Sequence, residues 1–109
     1  MKKIFVSGPY TKGDVAKNVK IAMDITNYLM DKGFAPYCPH LTHFLHMNNW
    51  QPYEKWLQLD CEYLVVCDAV FRLPGESAGA DKEVLLANER SIPVFYSLET
   101  LESHFTSPK

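Results

Sequence analysis

Short apolar runs cut off by glycine and proline alternate along this chain with longer stretches in which apolar residues recur at helical spacing. Ile4 to Ser7 is the first run; it stops at Gly8-Pro9 and predicts a strand. Asp14 then offers an N-cap, and Val15, Val19, Ala22, Ile25 and Leu29 share one helical face to about Asp31. Lys32-Gly33 stops that helix, with Gly33 as its left-handed cap. Phe34 to Tyr37 reads as a second strand, ended by Cys38-Pro39, and His40 to Asn49 reads as irregular. Pro52 suits the first turn of a second helix, where its missing donor costs nothing, and Trp56, Leu59, Tyr63 and Leu64 form that helix's apolar stripe. Asp68 to Leu73 predicts a third strand, Ser77 to Arg90 a third helix with Ala80, Val84, Leu85 and Ala87 inward, and Pro93 to Tyr96 a fourth strand. Leu98 to Phe105 suits a short final helix, and Thr106 to Lys109 a loose tail.

Strands alternating with helices imply parallel pairing through right-handed crossovers, and so an open α/β sheet of four to five strands with helices on both faces. Ligands of such sheets bind beyond the carboxyl ends of the strands. Three loops fall there: Gly8 to Gly13, Cys38 to Asn49 and Pro74 to Ala80.

Composition narrows the function classes. The 109 residues suffice for one domain and not for two. With 47% hydrophobic and 22% charged residues, disorder is excluded. A formal net charge of −2 without a like-charge block gives no basic face for a nucleic-acid polymer. The apolar start ends at Ser7-Gly8-Pro9, too soon for a signal peptide, and no apolar stretch is long enough for a membrane span. Cys38, Cys61 and Cys67 make no disulfide framework, so a reducing, cytoplasmic location is expected.

Several residues at the carboxyl-edge loops carry possible chemistry. The first loop joins a strand to a helix N-terminus, where free backbone donors favour an anion; Thr11 and Lys12 add a hydroxyl and a charge. It matches neither the Walker spacing nor GxGxxG, and a plain strand–helix turn is the alternative. Small residues from Ser77 to Ala80 let a ligand approach the backbone, and Glu83 follows one turn into the helix; periodicity alone favours a solvated Glu83 that stabilises the dipole. Asp60 lies mid-helix, unfavourable unless it faces water or has a task. His40, His43 and His46 complete no recognised metal pattern; with Phe44, Met47 and Trp50 they suit either a cover for a flat aromatic ligand or a satellite apolar cluster.

Taken in order, Ile4-Phe5-Val6-Ser7-Gly8-Pro9, Leu59-Asp60 with Asp68-Ala69-Val70 eight residues on, Ser77-Ala78-Gly79-Ala80-Asp81-Lys82-Glu83 and Ile92-Pro93-Val94 resemble the nucleoside 2-deoxyribosyltransferases and the related 2′-deoxynucleoside 5′-phosphate N-hydrolases. The resemblance runs from about Lys3 to Tyr96 and implies one flavodoxin-like domain over residues 1–109. It implies Glu83 as nucleophile, Asp60 as a second catalytic carboxylate and Ser77 as a phosphate contact. Gly8, Tyr10, Thr11, Lys12, His40 and Gly79 are the accompanying substrate-binding candidates. The resemblance departs at Phe5, where the family often has a Tyr that supports the nucleophile; Tyr10 is the candidate substitute. It departs again in the first loop, where Pro9, Thr11 and Lys12 stand in place of the hydrolases' Ser and Arg.

The implied substrate is a small nucleoside or its 5′-monophosphate, cleaved or transferred at the N-glycosidic bond. Neither a metal nor an organic cofactor is required. A close carboxylate stabilises or captures the oxocarbenium-like sugar while an acid protonates the leaving base; Asp60 is the first candidate acid and His40 the second. Because sites in this family can be completed by a neighbouring subunit, a homodimer or higher homo-oligomer is expected. The alternative is a non-catalytic nucleotide-binding module of the same fold; a receiver-like signalling domain ranks below it, since the first strand ends in Ser-Gly-Pro rather than in acidic residues.

Overall fold

Among the described residues, four parallel strands in the order β2-β1-β3-β4 form the sheet: β1 (Lys3–Ser7), β2 (Ala35–Tyr37), β3 (Ala69–Arg72) and β4 (Val94–Phe95). The computed structural model describes residues 1–106. Five α-helices connect and cover the strands: α1 (Val15–Asp31), α2 (Thr42–Asn48), α3 (Tyr53–Leu64), α4 (Ala78–Glu89) and α5 (Leu98–Thr106). The open flavodoxin-like α/β architecture expected from the sequence is therefore present. None of the described helices is long and apolar enough to cross a membrane.

Strand alternation divides the core into two layers. Ile4 and Val6 point to one face, where Ala22 and Leu29 of α1 and Leu101 of α5 bury them. Phe5 points to the other, against Leu64 of α3 and Ala87 of α4. Each fully buried side chain of this kind contributes roughly 1.5–3 kcal/mol. Ser7 lies two residues beyond Phe5 and so shares its face, at the last position of β1 and in register with Arg72, the last of β3. β1 leads into a helix on one face and β3 into a helix on the other, so the ends of these strands form the topological switch point where such sheets bind ligands.

The helix ends follow their local chemistry. Asp14 caps α1 by accepting from the Lys17 amide, and Gly33, at φ +89°, supplies the left-handed turn after it. Ser77 caps α4 by accepting from the Ala80 amide at 3.1 Å.

Several expectations need correction. His40 to Asn49 is not irregular: a 3₁₀ turn over Pro39–Leu41 leads directly into α2. Helix α2 buries no residue, leaving Phe44, Leu45 and Met47 exposed, so no apolar period marks it. Pro52 is the N-cap residue of α3 rather than part of its first turn. Leu59 and Tyr63 lie on the more exposed side of α3, Tyr63 stacking on Tyr37 of β2 at 4.7 Å, while Asp60 and Leu64 are buried instead. In α4 the inward face is Ala80, Glu83 and Ala87, while Leu85, two residues and about 200° round from Glu83, is exposed. Thr106 belongs to α5, and the rest of the expected loose tail, residues 107–109, lies outside the described residues.

Candidate active site

A cleft of about 870 Å³ opens at the carboxyl edge of the sheet. The loop that follows β1 (Gly8 to Lys12) borders it, one wall is residues 76–83 at the start of α4, and the other is the first two turns of α3 with residues of the 39–46 segment. Glu83, Asp60, Gly8, Tyr10, Thr11, Lys12, His40, Ser77 and Gly79 all line it, so the structure brings together every site residue expected from the sequence.

Glu83 is not the solvated first-turn glutamate that periodicity favours. It is 5% exposed, and the Ser7 hydroxyl, itself fully buried, donates to its Oε1 at 2.7 Å. Burial pushes the Glu83 carboxyl up to about 7; Asp60 pushes the same way, while the Ser7 hydrogen bond and the Arg72 charge oppose it. Asp60 is also buried, and desolvation raises it to about 7 against a hydrogen bond from Tyr37. Its Oδ1 has no hydrogen-bond partner among the described residues. The environments of the pair thus differ in kind. Glu83 has a hydroxyl donor and a nearby cation that favour its anion; Asp60 keeps an unsatisfied buried oxygen, which favours its protonated form.

The hydroxyl beside Glu83 comes from Ser7 and not from Tyr10. The Tyr10 hydroxyl instead contacts Nδ1 of His43. Strand alternation could have pointed to Ser7, since it lies on the face of Phe5 at the strand's carboxyl end. Sequence reading also missed Tyr53 and Trp56, which line the cleft from α3. Burial, then the charges of Glu83 and Asp60, raise the Tyr53 hydroxyl, which places that ring in the field of both carboxylates.

Each histidine of the His40–His46 segment is held elsewhere than at a common point. His40 is buried with Nε2 against the Pro9 carbonyl at 2.7 Å, and burial lowers its pKa, so it stays neutral. His43 contacts Tyr10, and Nδ1 of His46 accepts from Trp56 Nε1 at 2.9 Å and from the Gln51 amide at 3.3 Å. Among the described residues, no three His, Cys, Asp or Glu side chains gather to hold a metal ion.

Backbone geometry fixes the two loops that frame the carboxylates. Asn18 of α1 donates to the carbonyls of Tyr10 and Lys12, pinning the first loop. A Cβ at Gly8 would stand 2.7 Å from that of Leu73, and a Cβ at Gly79 would stand 2.8 Å from the Tyr53 hydroxyl. Glycine at both positions therefore lets the loops close on the cleft. At its mouth, Lys12 pairs with Glu76 at 3.3 Å.

The family model that matches residues 2–97 is described as Domain of unknown function (DUF7768). No curated protein matches the chain. Among solved structures, the chain resembles a 2-deoxyribosyltransferase from the psychrotolerant bacterium Bacillus psychrosaccharolyticus, described as a biocatalyst for the synthesis of antiviral and antitumoral nucleosides. The TM-score is 0.64 at 18% identity, covering 84% of this chain and 69% of that one. At that identity the likeness establishes a shared fold.

Proposed function

This chain belongs to the DUF7768 family, and on that footing we propose, from its site, that it is a nucleoside-processing enzyme that cleaves or transfers at the N-glycosidic bond. The observation that carries this reading is the buried Glu83 carboxylate, held by Ser7 at the carboxyl edge of the sheet and facing the cleft it shares with Asp60. The distant likeness to a 2-deoxyribosyltransferase supports it, and the reading takes residues 1–109 as one deoxyribosyltransferase-like domain.

In the proposed reaction the Glu83 carboxylate attacks C1′ of the sugar as the C–N bond breaks. The bonding pair leaves with the base, and protonated Asp60 delivers a proton to it. Water or a second base then attacks C1′, its proton passes to the Asp60 carboxylate, and the C1′–Glu83 bond breaks with its electron pair returning to Glu83, giving hydrolysis or transfer. Trp50, Tyr53 and Trp56 offer aromatic faces to the base. A neutral His40 holding the Pro9 carbonyl keeps the first loop in place and leaves the proton transfer to Asp60.

The charge lining the cleft favours an uncharged nucleoside over its 5′-monophosphate. Asp60, Glu76, Asp81 and Glu83 line it against Lys12 and Lys82; Lys12 is paired with Glu76, and Lys82 sits 5.9 Å from the centre of the Tyr53 ring. Phe44, Leu45, Met47 and Trp50 expose apolar surface beside the cleft, of the kind a subunit interface covers, so a homo-oligomer in the cytoplasm belongs to the same reading.

The test is chromatographic detection of free base after incubation with each deoxy- and ribonucleoside and its 5′-monophosphate, with and without an acceptor base. Release that disappears in Glu83→Ala supports the reading, and acceptor dependence separates transfer from hydrolysis. Absence of release from every substrate, with a nucleotide still raising the melting temperature, would leave a binding module in its place.

A further inference from the structure

Arg72 ends β3 opposite Ser7, the residue that holds Glu83. It is 8% exposed, and its guanidinium is committed on three sides. Nη1 donates to the Leu73 carbonyl, and Nη2 donates to the Gly75 carbonyl at 2.9 Å and pairs with Asp81 of α4 at 3.3 Å. A rigid fork of donors is what ties a turn and a helix together at one point, and a lysine cannot reproduce it. The turn it ties is tight: Gly75 has φ +114°, and a Cβ there would stand 2.8 Å from the Pro9 ring. The clamp thus connects the end of β3, the β3–α4 turn and the first turn of α4, two residues before Glu83.

We propose that Arg72 is a positioning residue of this site: by clamping the Leu73–Gly75 turn to Asp81 it sets where the Glu83 carboxylate stands relative to Ser7. The inference rests on the proposed role of Glu83 but can be read without turnover. The Arg72 charge also acts on the carboxyl, favouring its anion; the other groups acting on it are Asp60 from α3 and Ser7 from β1, and Tyr53 and Cys61 of α3 feel its charge in turn. The outer side of Arg72 borders a hollow of about 350 Å³ with Asp81, Val84 and Tyr96, so water can fill the space left by a shorter side chain.

The deciding experiment is a carbon-13 NMR titration of the Glu83 carboxyl, assigned by its absence in Glu83→Gln, in wild type, Arg72→Met and Arg72→Lys. Arg72→Met, which loses both charge and fork, is expected to raise the Glu83 midpoint by about half a pH unit or more, and Arg72→Lys, which keeps the charge but loses the fork, to raise it as well, because Glu83 shifts off its Ser7 donor. Should Arg72→Met fail to fold, Arg72→Gln is read in the same way. Where turnover is measurable, kcat falls about tenfold or more in both Arg72→Met and Arg72→Lys, which lose the fork, with KM within about threefold. A wild-type midpoint in Arg72→Lys, or an Arg72→Lys enzyme at full rate, overturns the proposal. No base release by the wild type, together with a raised midpoint in Arg72→Lys, sinks the glycosidic reading and leaves the clamp standing.

Discussion

The Ser7 hydroxyl donates to Glu83 Oε1 at 2.7 Å across 76 positions of sequence, with both side chains buried. The contact joins the end of the first strand to the second turn of α4 and orients the carboxylate toward the cleft. Ser7→Ala removes a donor to the charged form, so the Glu83 pKa should rise further above about 7. The expected result is a kcat about 10- to 100-fold below wild type at neutral pH, a gap that narrows at higher pH, with KM little changed. Steady-state kinetics of base release at pH 6, 7 and 8 check this; a rate equal to wild type at each pH removes Ser7 from the mechanism.

Glu83→Gln should abolish turnover and stabilise the fold. A carboxyl whose folded pKa is raised binds more protons folded than unfolded, so stability falls as pH rises from the unfolded value near 4 to about 7. The cost of the buried charge is fully present above that window, on the order of a few kcal/mol for each of Glu83 and Asp60. Thermal melts of wild type should therefore show a lower midpoint at pH 8 than at pH 5.5. Glu83→Gln should flatten that slope and melt higher than wild type at pH 8. A variant that melts lower at pH 8 would mean that the carboxylate is structural.

Opposite protonation of two carboxyls that both titrate near 7 predicts a narrow bell-shaped pH profile for kcat/KM. Activity rises as Glu83 ionises and falls as Asp60 loses its proton. Asp60→Asn should slow base release by about 10²-fold or more, remove the alkaline limb, and move the acid limb down, because Asp60 no longer repels the Glu83 charge. A loss under threefold would take Asp60 out of the proton transfer.

Much of this was legible in the sequence because it follows from periodicity and punctuation. The strand at Ile4, the cap at Asp14 and the glycine stop at Gly33 stand where local chemistry puts them. The misread elements are those whose burial is set by partners distant in sequence. Helix α2 turns no apolar face to the core, so it left no period to read. Asp60 and Glu83 are polar residues on inward helix faces, and apolar spacing assigned those faces to Leu59 and Leu85. Burial at a functional site opposes the pattern that marks a core, and a family resemblance was needed to single out these carboxylates. Alternation puts Ser7 on the Phe5 face at the strand's carboxyl end but does not name its partner, which lies 76 positions on in α4, and the partners of Arg72 lie beyond a turn, where spacing along one element carries no signal.

Gly79 tests the shape of the cleft rather than its charge. A Cβ there would stand 2.8 Å from the Tyr53 hydroxyl, the far end of a movable side chain that is half exposed. Gly79→Ala should therefore fold normally, helped by the helix preference of alanine, while pushing Tyr53 into the space proposed for substrate. The expected effect is a KM raised about tenfold with a melting temperature equal to wild type or higher. Gly79→Ala combined with Tyr53→Phe should recover part of the loss, since the clashing oxygen is gone. A normal KM in the single variant would put the substrate elsewhere in the cleft.

The distribution of charge predicts which substrate is preferred. With Asp60 protonated, Asp81 paired with Arg72 and Lys12 held by Glu76 at 3.3 Å, the cleft sets the Glu83 anion against Lys82 alone, so a phosphate dianion gains little net attraction there. Nucleosides should be turned over with kcat/KM about tenfold or more above their 5′-monophosphates at pH 7. Glu76→Gln frees Lys12 and removes one negative charge, and should narrow that ratio by raising activity on the monophosphate alone. Added salt should narrow it too, because both charges of the pair are exposed and screened. A wild-type preference for the monophosphate would show that the N-terminus of α4, with the donor of the Ser77 hydroxyl, outweighs the surrounding carboxylates, and would move the reading toward the N-hydrolases.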